Sequence, residues 1–300
     1  MVIMSNTKKA PVGKKPQKKI GQWGEMWLRL RKNKVTMVAM TVFLLIVLVA
    51  IFADVICNYE TKVITQNLSI RLQGPSSEHW FGTDGYGRDI FARVVHGTRI
   101  SLLIGLGATV GSVFLAGLLG SASGYYGGRT DNIIMRIMDM FMCIPGILLS
   151  LAIVSTLGPS MGNLLIAVTI GRIPPFSRVV RSTILTVVDQ EYVEAAHACG
   201  SKDSRIIIKH ILPNAIGPII IQATMGVGGM ILMAAGLSFI GLGVSPPVPE
   251  WGSMLSEGRE FMRYSAAGTL FPGIAIILTA LSLNLFGDGL RDAIDPKLKN

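Results

Sequence analysis

Uncharged apolar stretches, each longer than a soluble core helix needs, constrain the fold of this chain more than any other feature. Three of them cover residues 100–128, 140–171 and 211–249. A helix that crosses the roughly 30 Å hydrocarbon core of a bilayer needs about 20 apolar residues. Only 15% of the residues are charged, against about 25% in a typical soluble domain. We therefore predict an all-α integral membrane protein and exclude a soluble domain, a disordered chain and a disulfide scaffold.

The sequence predicts six transmembrane helices, because clusters of glycine, proline and serine divide the uncharged stretches. The fourth helix carries Arg172, Pro174, Pro175 and Arg178 in its second half. Arginine is costly at the centre of a bilayer, so we expect this half to emerge into the cytoplasm. The six predicted helices cover about residues 35–53, 100–128, 133–157, 161–180, 216–241 and 265–287.

Small residues occur in groups at four-residue spacing within the second predicted helix, namely Gly107/Gly111, Ala116/Gly120 and Gly120/Gly124/Gly128. Residues four apart lie on one face of a helix. A face of small residues lets two helix backbones approach closely in a membrane. We therefore predict that this helix is a packing element of the bundle.

The distribution of positive charge predicts that both termini lie in the cytoplasm. Ten of the 28 Lys and Arg residues precede residue 35, together with a single acid, Glu25. With the N-terminus inside, 21 of the 28 fall in inner segments and seven in outer segments, as the positive-inside rule requires. The basic segment indicates contact with anionic lipid rather than nucleic acid, since no aromatic-basic motif accompanies it.

An amphipathic helix is predicted just before the first span. Trp23, Met26, Trp27 and Leu30 follow the spacing of one helix face, which suits a helix lying on the inner leaflet. The alternative is that the same residues extend the first transmembrane helix.

The sequence lacks the residue patterns of an enzyme or a metal site. Its three cysteines, Cys57, Cys143 and Cys199, are widely spaced and form no CxxC pair. No HExxH, GxGD or serine with a partnered histidine occurs. We therefore predict no catalytic residue and no metal ligand. A secondary transporter or channel is the main alternative for a membrane protein, but it usually shows ionisable residues in mid-span or inverted repeats.

A polar segment between the fourth and fifth predicted spans has the pattern of a helix, a break and a second helix. Ala195 and Ala196 favour the first helix and would let a partner surface come close. Gly200 can adopt a positive φ at its end, and Ser201 can cap the helix that follows. Pro213 is expected to begin a further helix. Without other information, this segment is a solvated helix pair that joins two spans.

The same segment resembles the EAA loop of binding-protein-dependent ABC importer permeases. Glu194, Ala195, Ala196 and Gly200 match that motif, and a Leu-Pro pair follows twelve residues after the glycine. His210 departs from the family pattern, which usually has Ile there. The resemblance implies that the segment docks onto an ATP-hydrolysing subunit. The implied coupling residues are Glu194, Ala195, Ala196, Gly200, Ser201, Leu212 and Pro213.

Further segments are similar to the C-type, second permease subunit of the dipeptide, oligopeptide and nickel branch, namely residues 79–89, 124–139, 237–255 and 286–299. The resemblance implies a type I ABC importer permease fold in the bacterial cytoplasmic membrane. Implied partners are a homologous permease, two ATPase subunits and an extracytoplasmic binding protein. No Walker A motif occurs, so the partner ATPases are expected to bind ATP and Mg²⁺ and this chain no cofactor. Peptides are the expected substrate, with nickel, glutathione or other small solutes as alternatives.

The resemblance divides the chain into five predicted segments. They are a basic cytoplasmic tail (1–34), a first transmembrane helix (35–57), an extracytoplasmic loop (58–99), a permease core of five transmembrane helices (100–287, with the coupling loop at 181–213) and a cytoplasmic tail (288–300).

Two residue groups are candidates for contact with the solute or the binding protein. Met225, Met230 and Met233 can line a yielding gate, because thioether side chains adapt to varied solutes, or they can serve helix packing. In the extracytoplasmic loop, Asp84, Arg88 and Asp89 can contact the binding protein or the substrate, or they can form a hydrogen-bonded turn.

Overall fold

This computed structural model describes residues 22–294. All named secondary-structure elements within these residues are helical. A π-turn at Glu60–Ile64 and a 3₁₀-turn at Leu68–Ile70 lie between α3 and α4, and a π-turn at Ile207–Ile211 joins α9 to α10. The helices are α1 (Gln22–Lys32), α2 (Lys34–Ile51), α3 (Ala53–Ile56), α4 (Ile90–Tyr126), α5 (Gly128–Met142), α6 (Gly146–Leu157), α7 (Met161–Leu185), α8 (Glu191–Ala198), α9 (Asp203–Ile206), α10 (Leu212–Phe239), α11 (Trp251–Glu260) and α12 (Ala267–Ile294).

Four helical stretches of the described chain are long and apolar enough to cross a membrane, namely α2, α4, the continuous stretch from α9 to α10, and α12. The pair formed by α5 and α6 makes a fifth if it counts as one broken span. Helix α7 has 25 residues but carries three arginines, which lower its hydropathy. The prediction of an all-helical membrane protein is confirmed, whereas the number six is not confirmed by length and composition.

The third predicted span is not one helix. It breaks between α5 and α6, whose axes are bent by 82°. Pro145 stands at the break with extended backbone angles, φ −51° and ψ 129°. Proline disfavours helical geometry in the residue before it and cannot donate a backbone hydrogen bond. This local cost explains why the third predicted span does not form one straight helix.

Helix α4 begins at Ile90, ten residues before the predicted span. The Asp89 side chain accepts a hydrogen bond from the backbone N–H of Ala92 at 2.8 Å, which satisfies a free donor of the first turn. The extracytoplasmic loop predicted for residues 58–99 is therefore helical over its last ten residues. An N-cap of this kind lets the helix extend beyond the apolar stretch.

Helix α7 continues through Pro174 and Pro175 to Leu185 and so runs past residue 180, the predicted end. Phe176 and Ser177, directly after the prolines, are buried in the bundle. Packing against neighbouring helices can offset the hydrogen bonds that proline removes. Tertiary contacts thus override the local signal for a helix end.

The predicted small-residue face of α4 packs against α7. Gly111 lies beside Thr169, and Gly124 lies beside Ile184. Both contacts advance along the chain in the same direction, so α4 and α7 run parallel. Around this seam, Ile104, Leu164 and Phe176 are buried in one hydrophobic cluster. The prediction that α4 is a packing helix is confirmed.

The predicted helix before the first span exists as α1, and it is separate from α2. Asn33 interrupts the two with extended backbone angles and caps α2 through its side chain. Leu30 of α1 is buried against Leu290 and Ala293 of α12, while Trp27 is exposed. The alternative of a continuous extension is therefore wrong. The Trp23 side chain, residues 1–21 and the last six residues of the predicted tail lie outside the described part of the chain.

Candidate partner-docking site

Helix α8 ends in a tight turn at Gly200, at the end of the bundle where α7 finishes. Gly200 has φ +73°, a region that residues with a Cβ rarely adopt. The N–H of Ser201 donates to the carbonyl oxygen of Ala196 at 3.1 Å, and the N–H of Gly200 donates to that of His197 at 2.8 Å. These bonds satisfy carbonyl groups at the end of α8. The predicted positive φ at Gly200 is confirmed.

The role predicted for Ser201 as a helix cap is wrong. Helix α9 begins after Lys202, and no side chain caps it. Ser201 instead closes the end of α8 through its backbone N–H. Lys202 has extended backbone angles (φ −67°, ψ 144°), which turn the chain from α8 into α9. The residue before α9 is therefore Lys202 rather than the predicted Ser201.

The second helix of this segment leads without interruption into a membrane span. From Asp203 to Phe239 the chain is one helical stretch, with a π-turn over Ile207–Ile211. Pro213 stands in the first turn of α10, as predicted, but it does not start a separate helix. A π-turn widens the helix locally, which accommodates a residue without a backbone N–H.

Buried side chains fix α8 to the bundle. Val193 is 1% exposed and Ala196 is 9% exposed. Both belong to a hydrophobic cluster with Ile184 of α7, Ile206 of α9 and Ala215 of α10. Ala196 therefore packs inside the subunit rather than on the exposed face of α8, and its coupling role stays a prediction. Helical periodicity explains this, because Val193 and Ala196 are three residues apart and share the inner face.

The opposite face of α8 is open. Glu194 and Ala195 are exposed, and among the described residues no cation pairs with Glu194. On the same helix, the large side chain of Tyr192 is 42% exposed. An unpaired acid beside exposed apolar groups on a rigid helix is a surface suited to a protein partner.

Sequence reasoning missed a polar contact that ties this segment to α4. The Tyr125 hydroxyl donates to Oδ1 of Asp203 at 2.9 Å and lies 3.1 Å from Nε2 of His197. The three residues come from the last turn of α4, from α8 and from α9. No local pattern signals a contact between residues 78 positions apart. It holds both helices of the segment to one end of α4.

The three candidate methionines of α10 have different surroundings. Met230 is 1% exposed and lies in the core beside Phe176. Met225 contacts Gly287 of α12, and the methyl group of Met233 lies near Gly171. All three take part in helix packing, and Met225 and Met233 keep partial exposure.

Asp84, Arg88 and Asp89 are internal rather than presented on a surface. Arg88 is 2% exposed and Asp89 is 4% exposed. Asp84 accepts hydrogen bonds from Nε of Arg88 and from Arg93. Glu257 of α11, which the sequence did not single out, accepts from the same two arginines at 2.5 and 2.7 Å. This geometry favours the alternative of a hydrogen-bonded structural turn.

No group of three or more histidine, cysteine, aspartate or glutamate residues within residues 22–294 is arranged to hold a metal ion. Cys57 is buried, whereas Cys143 and Cys199 are exposed, and all three are free thiols.

The segment around α8 provides a contact surface at the end of a helical bundle that spans a membrane. A multi-pass helical membrane protein is the class of protein that this architecture defines.

Comparison with known proteins gives the family. The model described as binding-protein-dependent transport system inner membrane component matches residues 116–300. The model for the N-terminal transmembrane domain of oligopeptide transport permease C matches residues 21–75. The chain therefore belongs to the family of binding-protein-dependent ABC importer permeases, and the resemblance found in the sequence is confirmed.

Curated relatives match over almost their whole length. The dipeptide transport system permease protein DppC of Alkalihalophilus pseudofirmus is 48% identical and is matched over 94% of this chain and 92% of its own. The glutathione transport system permease protein GsiD of Pectobacterium atrosepticum is 43% identical over 93% and 92%. GsiD of Escherichia coli is 44% identical over 95% and 94%.

A solved chain of the MetNI methionine ABC transporter, described as inward-facing, shares the fold. Its TM-score is 0.51 at 19% identity, over 68% of this chain and 97% of that chain. The likeness supports the predicted ABC importer permease fold.

Proposed function

We propose that this permease imports dipeptides or other short peptides across the bacterial cytoplasmic membrane, and that ATPase subunits drive it through the exposed face of α8. The main support for the coupling role is that the exposed face of α8 is held in a fixed position. The Gly200 turn, the buried Val193 and the Tyr125 contact hold the helix while Glu194 and Ala195 stay open. A homologous permease, two ATPases and an extracytoplasmic binding protein complete the proposed transporter.

The continuous helix from α9 to α10 supports a direct mechanical route. Asp203 to Phe239 is one helical stretch, so a displacement of α8 and α9 by a docked ATPase moves a membrane span with it. ATP and Mg²⁺ bind in the ATPases, which close on the nucleotide. The permease pair then shifts between conformations that open to opposite sides.

Six crossings with both termini in the cytoplasm suit this arrangement. Helix α7 supplies one further crossing, because it runs parallel to α4 from Leu165 to Ile184. The bent pair of α5 and α6 then serves as one crossing between them. Near the inner end of α7, Arg178 pairs with Asp139 and Arg181 pairs with Asp131. Neutralising these charges lowers the cost of placing that end close to the membrane.

Peptide substrates are favoured because the relatives named for transport of dipeptides and glutathione are 48% and 43–44% identical to this chain. Nickel or another small solute is the alternative. Ligand binding to the cognate binding protein decides between them: calorimetry should detect dipeptide binding, and binding of nickel chelates with no peptide binding would contradict the substrate proposal.

The charge of Glu194 provides the first test of docking. We expect Glu194→Lys to leave the permease pair in the membrane but to lower ATPase co-purification at least about tenfold, since one unfavourable contact of about 1.4 kcal/mol has that effect. Glu78→Lys is the matched control, because Glu78 is also an exposed acid but precedes α4 at the opposite end of the bundle. Equal ATPase recovery in both variants would remove Glu194 from the interface.

The turn at Gly200 provides the second test. Apart from its chain neighbours, no atom of residues 22–294 lies within 4 Å of the position that a Cβ would take there, so we expect a substitution to act through the backbone. Valine strains at φ +73°, whereas asparagine tolerates that region. We expect Gly200→Val to uncouple ATP hydrolysis from uptake and Gly200→Asn to stay close to the parent. Normal uptake by the valine variant would contradict the requirement for this turn.

A further inference from the structure

Arg172 lies near mid-depth in the membrane bundle. It is adjacent to the midpoint of α7, which covers Met161–Leu185. Three residues before it, Thr169 contacts Gly111 of α4. Since the two helices are parallel, Arg172 is level with about residue 114, the centre of the uncharged stretch 100–128. A guanidinium group is thus placed far from either end of the apolar region.

The other two arginines of α7 have acidic partners, whereas Arg172 has none in the described chain. Nη2 of Arg181 lies 2.5 Å from Asp131, and Arg178 pairs with Asp139. Within residues 22–294, Arg172 forms neither a salt bridge nor a hydrogen bond through its side chain. Its guanidinium carbon lies over the Phe176 ring, 5.8 Å from the ring centroid, in a cation–π contact.

The Arg172 guanidinium borders an open notch between α7 and α10. One of its nitrogens is the nearest atom, at 3.8 Å, to the position that a Cβ would take at Gly229. Gly229 itself is exposed, and Arg172 is half-buried. Leu232, one turn further along α10, is 60% exposed. The cation therefore has free space beside it rather than a packed wall.

An unpaired arginine at this depth is incompatible with a lipid-facing surface. Arginine at a bilayer centre costs at least about 3 kcal/mol on insertion scales. A cation in such a place faces a water-filled cavity or an anion. This cost favours an arrangement in which the notch between α7 and α10 is turned away from lipid, towards the proposed pathway.

We propose that Arg172 binds a carboxylate of the solute as it passes through the permease, an inference that rests on the proposed peptide import. A guanidinium offers paired donors that match the two oxygens of a carboxylate. Every linear peptide with a free C-terminus carries such a group, whatever its side chains. The glycine at position 229 leaves room for it beside the cation. Partial exposure keeps the contact weak enough for release.

The test uses thiol labelling in the assembled transporter. Cys57, Cys143 and Cys199 are replaced by serine, ATP-driven uptake by this parent is confirmed, and Gly229→Cys is then introduced. The purified complex is treated with anionic sulfonatoethyl or cationic trimethylammonioethyl methanethiosulfonate. We expect labelling, and we expect Arg172→Gln to lower the anionic-to-cationic rate ratio about tenfold, as for a unit charge at about 6 Å in water.

Two controls keep the result interpretable. Arg172→Lys retains the charge and should retain the ratio, and recovery of the homologous permease shows whether each variant still assembles. Ile277→Cys, on an exposed part of α12, reports labelling away from the notch. If the cysteine-free parent shows no ATP-driven uptake, the proposed function itself is contradicted. The labelling results test only the role proposed for Arg172.

The last part of the test measures whether a dipeptide protects the cysteine at position 229 from labelling. Alanylalanine at millimolar concentration should slow labelling of Gly229→Cys, and its C-terminal amide should not. No labelling at position 229 would show that lipid or the partner permease covers the notch and would overturn the proposal. Labelling without a charge preference, or protection by neither dipeptide, would also overturn it.

Discussion

Gly120 of α4 faces Ser177 of α7 so closely that a methyl group on Gly120 would lie 2.7 Å from the Ser177 carbonyl oxygen. The same methyl group would lie 2.7 Å from Cβ of Val180. Real contacts of carbon atoms are longer, with an optimum of about 3.5–4.0 Å. The two helices therefore pack at a distance that only glycine permits, directly after the two prolines of α7.

Gly120→Ala is expected to destabilise the permease by about 1–3 kcal/mol, because the helices must separate. Gly117→Ala is the matched control, since in the described part of the chain no atom outside its own helical turn lies within 4 Å of the added methyl group. Thermal unfolding of the purified subunit pair measures the difference. Equal melting temperatures for the two variants would contradict the close approach of α4 and α7.

Glu257 is expected to be essential for the stability of the ion cluster that joins α11 to the start of α4. It accepts from Arg88 and Arg93, which are 2% and 1% exposed. Removing one partner of a buried ion pair costs about 3–5 kcal/mol. We expect Glu257→Ala to lower the melting temperature far more than Glu260→Ala, a substitution at an exposed acid of the same helix. A similar effect of both substitutions would argue against the cluster.

Glu250 is expected to make stability depend on pH. Burial raises the pKa of its carboxyl group, although the N–H groups of Gly252 and Ser253 oppose this by donating to it. Because the folded pKa lies above the unfolded value, the proton-linked stabilisation is complete below the unfolded pKa and is lost as pH rises through the folded pKa. Each unit of difference corresponds to about 1.4 kcal/mol.

Glu250→Gln resembles the protonated side chain and should remove this pH dependence. Melting temperatures measured from pH 4.5 to 8 for the parent and the variant give the comparison, with Glu260→Gln as the exposed control. The parent should lose stability relative to Glu250→Gln as the pH rises. Parallel curves would show that Glu250 does not titrate differently in the folded state.

Four candidate membrane helices and the turn at Gly200 could be predicted from local patterns. Uncharged stretches indicate α2, α4, α10 and α12, because every helix that crosses the bilayer core needs about 20 apolar residues. The glycine at position 200 could be identified because a positive φ restricts residue choice at one position. Both constraints act within a short segment of the chain, so the local sequence is enough to predict them.

Contacts between distant residues were the part that sequence reasoning missed. Glu257 lies 169 positions from Arg88, and neither residue carries a local sign of the other. The buried position of Ala196 depends on how α8 meets α7 and α10. The bend at Pro145 and the continuation of α7 through Pro174 show that the same residue type can break one helix and be tolerated in another.

The sequence by itself determined that this chain is a helical membrane protein of the importer permease family with a polar segment between two spans. Only the tertiary structure decided which side of α8 is exposed and which arginines of α7 have acidic partners. The physical reason is that apolar patterning and backbone preference act locally. Ion pairing and burial depend on which segments meet in space, and within residues 22–294 no acidic side chain pairs with Arg172.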